Sequence, residues 1–225
     1  MKFFLIFMLV ILLLILGCAQ PKDFGYGVRL INNLNSKYNT TMETYPKDIR
    51  QINLMLYEYN TLKKLKLESD EESFNYVIGY RILNLEAEEL YIKGFKYGDA
   101  GTTEGGFGCK QRPLIIESVQ LRNNSTLKGY KAVDVLIEFI GKYPKEASIV
   151  GLSSKNTLFL NATFYKIARD VRRDSNTINH FCPENVTLEL YQQEFRKKTN
   201  LSEDFINNLS YWGAVPIWKE IRGLT

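Results

Sequence analysis

Residues 127–144 read LKGYKAVDVLIEFIGKYP, and their spacing decides the fold class. Leu127, Tyr130, Val133, Ile137 and Ile140 recur every three or four residues and line one helical face, while Ala132, Leu136, Phe139 and Tyr143 line another. Lys131, Asp134, Glu138 and Lys142 form the solvated stripe between them. Glu138 stands one turn before Lys142, placed to pair with it.

The same period extends in both directions. Upstream, Thr44 or Tyr45-Pro46 starts a helix to about Lys66, with Ile52, Leu56, Tyr59, Leu62 and Leu65 on one face. Ser69-Asp70 then caps a second helix to about Tyr97. That helix is apolar on two sides, Phe74, Ile78, Ile82, Leu85, Ile92 and Phe95 against Tyr76, Tyr80, Leu83, Ala87 and Leu90, so it should lie between two neighbours. Gly98 to Pro113 holds five glycines and reads as a long crossing loop pinned by Cys109. A phosphate-cradling loop would follow a strand and carry Gly-Lys-Ser/Thr, and neither feature is present. Pro113 suits the first turn of a third helix to Asn123, after which Asn124-Ser125-Thr126 caps the helix quoted above. Ser153-Ser154 caps a fifth to about Arg173, burying Leu160, Phe164, Ile167 and Val171. A sixth begins near Asn185, and Ser202-Glu203-Asp204 starts a short seventh. The expected fold is all-α: antiparallel helical hairpins or an irregular bundle of six to seven helices, with residues 44–225 as one domain.

Ala132, Leu136, Phe139 and Pro144 also resemble the second helix of a tetratricopeptide repeat, in which a small residue permits close helix approach and a proline ends the unit. The resemblance covers about eighteen residues, and no 34-residue period recurs. An amphipathic hairpin explains the same residues.

The compartment is read from the other end of the chain. Phe3 to Leu16 is a run of fourteen apolar residues behind Lys2. That is the length of a secretory leader and short of the ~20 residues that span a bilayer. Ile15-Leu16-Gly17-Cys18 closes it and resembles the lipobox of prokaryotic membrane lipoproteins. The resemblance implies cleavage before Cys18, lipid on that thiol, and an extracytoplasmic location anchored to the cell membrane. An uncleaved anchor gives the same side of the membrane. Residues 1–17 are thus expected as signal peptide and 18–43 as lipidated cysteine plus a flexible tether, whose ~25 Asn-rich residues would stand ~25–30 Å off the surface.

Two cysteines remain, Cys109 and Cys182. In an oxidising compartment they are expected to form one disulfide, and closing a loop of that length adds ~4 kcal/mol in the chain-entropy view. The rival is a metal site using Cys109, His180 and Cys182, but it lacks paired C-x-x-C knuckles. No metal or other cofactor is expected. Asn-x-Ser/Thr occurs seven times, at Asn39, Asn123, Asn124, Asn161, Asn185, Asn200 and Asn208, against roughly two from composition. The excess suits an N-glycosylated surface and, with the lipobox, an archaeal envelope more than a bacterial one. Helix-capping asparagines would give the same triplets.

Chemistry is harder to read. Net charge is +4, falling to +3 once the leader and its Lys2 are gone, too mild and scattered for a nucleic-acid partner. His180 is the sole histidine and accompanies no nucleophile motif. Glu117-Ser118 resembles the Glu-Ser of lytic transglycosylases, which implies Glu117 as general acid in an envelope glycan hydrolase, though no Gly-Leu-Met-Gln-like segment follows. Trp212, Pro216, Ile217 and Trp218 either seal the core or form a patch for a partner. No motif identifies a functional family. The expectation is a lipid-anchored helical module that binds or scaffolds at the envelope, its partners the membrane and another envelope protein. The alternative is the Glu117 hydrolase.

Overall fold

The computed structural model describes residues 22–42, 44–46, 48–103 and 112–181. Those residues are all-α. Six helices run in order: α1 (Phe24–Lys37), α2 (Ile49–Leu62), α3 (Glu71–Thr103), α4 (Arg112–Lys142), α5 (Pro144–Ile149) and α6 (Ser154–Phe181). No helix among the described residues is long and apolar enough to cross a membrane. The expected sixth and seventh helices lie outside the described residues.

α3 is the centre of the molecule. It packs along α4 on one side and receives α2 and α1 on the other, as its two apolar faces require. Phe74, Val77, Ile78, Tyr80, Leu85, Ala87 and Ile92 are buried between those layers. α6 then packs on the free side of α4, burying Leu160, Phe164, Ile167 and Val171. α4 and α6 run antiparallel, as the Arg122–Asp174 pair and the contact of Gly129 with Phe164 establish. Gly129 permits that approach, because a Cβ at that position would stand 2.2 Å from the Phe164 ring. The solvated stripe of α4 is as expected: Lys131, Asp134, Glu138 and Lys142 are exposed, and Lys142 meets Glu138 at 2.7 Å.

Several expectations are corrected. Residues 24–37 are a helix docked on the core, where a tether was expected over 18–43. Asp23 caps it, accepting from the Tyr26 amide at 2.8 Å, and Phe24, Val28, Ile31 and Leu34 are buried. The expected third and fourth helices are one, continuous from Arg112 to Lys142. Ser125 and Thr126 do not cap anything, because their hydroxyls are satisfied within the packed helix. Ser125 donates across to the Ala87 carbonyl at 2.7 Å and Thr126 back to Arg122 O at 3.0 Å. α3 runs to Thr103, so the first residues of the glycine-rich stretch are helical. With α3 at 33 residues and α4 at 31, each helix nearly fills a whole 34-residue repeat that should hold two, and the tetratricopeptide reading fails. Ile137 is half exposed rather than inward, and Pro144 opens α5 rather than ending the domain's hairpin.

Candidate functional site

The described residues hold their most unusual chemistry inside α3. An arginine in the middle of a helix normally reaches water, but α3 is covered on two sides, and Arg81 is fully buried. Its Nη1 donates to Met42 O at 3.1 Å and its Nη2 to Thr44 O at 2.6 Å. Its guanidinium also lies 5.1 Å from the Tyr45 ring centre. One turn on, Asn84 donates to the hydroxyls of Tyr45 and Tyr80. Together they clamp the extended α1–α2 connection onto α3. Arg81 Nε has no hydrogen-bond partner among the described residues.

Glu88 lies two turns along the same helix. Burial pushes its carboxyl up to about 7, and the Arg81 charge pulls in the opposite direction. Burial likewise raises the Tyr45, Tyr59 and Tyr91 hydroxyls, Tyr91 further because of the negative charge of Glu88. Tyr59 donates to Asn35 Oδ1 at 3.0 Å, joining α2 to α1 beneath the clamp.

A second polar locus sits farther along the bundle. Arg122 on α4 pairs with Asp174 on α6 at 2.8 Å, both side chains largely covered, and its Nε donates to Ser118 O at 3.3 Å. The Ser118 hydroxyl is buried without a partner among the described residues and faces Gly98 of α3, while the Ser118 carbonyl lies against Gly94. These groups can hold helices in register. They do not bring a nucleophile, a base and an opening together.

The residues expected to act are dispersed. Glu117 is exposed on α4, whereas a general acid of the transglycosylase kind sits in an apolar enclosure that raises its proton affinity. Asn39 is exposed at the end of α1 in a left-handed conformation, φ 51°. Asn124 is exposed and Asn123 half-buried, both in mid-helix. Asn161 is buried in α6 with its Oδ1 unpartnered among the described residues, so a glycan does not fit there. His180 falls in the last turn of α6. Cys18, Cys109, Cys182, Asn185, Asn200 and Asn208 lie outside the described residues, as do Trp212, Pro216, Ile217 and Trp218.

Arg81 and Glu88 were not singled out from the sequence. Their signal was the helix with two apolar faces, which leaves little solvated stripe, so charged residues on it must lie between neighbours. No protein-family model, no curated protein and no solved structure matches this chain.

Proposed function

We propose that this protein is a lipid-anchored extracytoplasmic helical module that binds or scaffolds a partner at the cell envelope. The observation that carries the proposal is the leader: fourteen apolar residues ending in Ile15-Leu16-Gly17-Cys18. An oxidised Cys109–Cys182 pair belongs to the same reading. Its support is the antiparallel register of α4 and α6, which brings the start of α4, three residues after Cys109, to the end of α6, one residue before Cys182. Glycosylation has its best support at Asn39, where the chain turns at the surface. The long α3–α4 hairpin suits presentation of a surface away from the membrane.

The test is labelling of growing cells with a radioactive fatty acid, comparing the wild type with Cys18→Ser. Label and membrane association on the wild type, both lost in Cys18→Ser, are the expected outcome. Equal membrane association without label in either protein would remove the lipid anchor.

A further inference from the structure

The described chain begins fixed to the bundle. Glu68 donates its amide proton to Lys22 O at 2.8 Å, and the Asp23 cap starts α1 immediately afterwards. Lys22 is therefore held against the α2–α3 turn, residues 63–70. Four peptide steps separate it from Cys18, and in any conformation they reach at most ~14 Å. We propose that this turn, with Lys22, Lys63 and Lys64, is a membrane-docking surface that rests on phospholipid headgroups beside the acylated Cys18. The inference depends on the lipid-anchor reading above.

The leash selects the end of the bundle that is tied down. Along α3 the distance from Glu71 to Tyr97 is ~40 Å at the helical rise, nearly three times that reach. The end that is tied down also offers exposed ammonium groups. Lys22, Lys63 and Lys64 are exposed and have no ion-pair partner among the described residues, so their ammonium groups are available to headgroup phosphates. The same turn and the first turn of α3 also carry Glu68, Asp70, Glu71 and Glu72; Glu71 is engaged by Lys66 at 2.8 Å and Asp70 accepts from the Ser69 hydroxyl at 2.9 Å, so the surface presents both signs of charge, as zwitterionic headgroups do. The α4–α5–α6 connection lies at the same end, since Tyr76 near the start of α3 stacks on Phe139 and meets Tyr143. That connection adds exposed Lys145 and Ile149, the latter 62% exposed and able to enter the headgroup layer.

The test uses the full-length protein extracted with its lipid and reconstituted in vesicles of phosphatidylcholine and phosphatidylglycerol. A p-benzoylphenylalanine photocrosslinker is placed at position Lys64 or at position Tyr97, and the mass of each preparation reports lipid on Cys18. Ultraviolet light should couple phospholipid at position 64 several-fold more than at 97. Inserting about ten Gly/Ser residues between Pro21 and Lys22, a coil of ~17 Å, should cut the coupling at 64 several-fold. Equal coupling at the two positions, or coupling at 64 untouched by the insertion, overturns the docking surface even where Cys18 carries lipid. A preparation in which Cys18 bears no lipid overturns the anchor reading and the docking surface with it.

Discussion

Arg81 is the side chain on which the α1–α2 connection depends. It supplies donors to the buried Met42 carbonyl and the part-buried Thr44 carbonyl, neither of which has a helix ladder to join. Arg81→Leu would keep the volume roughly filled and remove both donors. The expected cost is about 3 kcal/mol, read from the urea midpoint at constant slope. A shift under about 0.5 kcal/mol, the size of an ordinary surface substitution, would mean the connection is held by its apolar contacts alone. Glu88, the partner in charge, gives the molecule a pH dependence. In the folded chain it keeps its proton until about pH 7, whereas in the unfolded chain it releases it near pH 4.3. Across that interval the folded state binds the extra proton, so stability falls as pH rises through it and levels off above. Glu58 and Glu138 are shifted the other way, by Lys37 and Lys142, and their contributions are lost only in more acid solution. Glu88→Gln should therefore flatten the decline of the thermal midpoint between about pH 5 and pH 7.5. Parallel profiles for wild type and variant would show that Glu88 is ionised throughout.

Among the elements, α4 is held to α6 by close approach as well as by the Arg122–Asp174 pair. Gly129 lets the Phe164 ring lie on the α4 backbone, and Gly129→Ala should cost about 1–3 kcal/mol by overpacking. Most of that loss should return in the double variant with Phe164→Leu; additive losses would place the strain elsewhere. The continuity of α4 has its own test. Asn124 is exposed, so a break at 124–126 would tolerate Asn124→Pro, whereas an unbroken helix loses at least ~3 kcal/mol. Helical content and unfolding midpoint together distinguish the two. Much of this level was legible in advance, and the misses have physical causes. The α2, α3 and α6 faces follow from their apolar period, because one side of each must leave water. α1 carried the same signal, Phe24, Val28, Ile31 and Leu34, but the asparagines around it read as a tether. Gly27 is there for packing, since a Cβ would stand 2.6 Å from the Phe74 ring. The polar run at 123–126 looked like a helix boundary because such side chains compete with the backbone. Its hydroxyls instead found carbonyls on α3 and one turn back. The candidate site was the least legible: Arg81 and Glu88 resemble surface charges until the layers on both sides of α3 are in place.

At the scale of the molecule, a helical body is joined to its proposed anchor by a short leash. Docking of α1 converts what looked like ~25 residues of slack into four peptide steps between Lys22 and Cys18, which under the proposed anchor would set one end of the bundle at the membrane and leave the far ends of α3 and α4 outermost. That arrangement makes sense only if Cys18 is the acylated N-terminus. The measurement that bears on it most directly is the intact mass of the native protein extracted from membranes. The expected mass is that of residues 18–225 plus acyl chains, less two hydrogens for Cys109–Cys182, with hexose increments where Asn39 is used. A freely dissolved chain of full length, Met1 in place, without lipid and with every thiol reduced, would contradict the account.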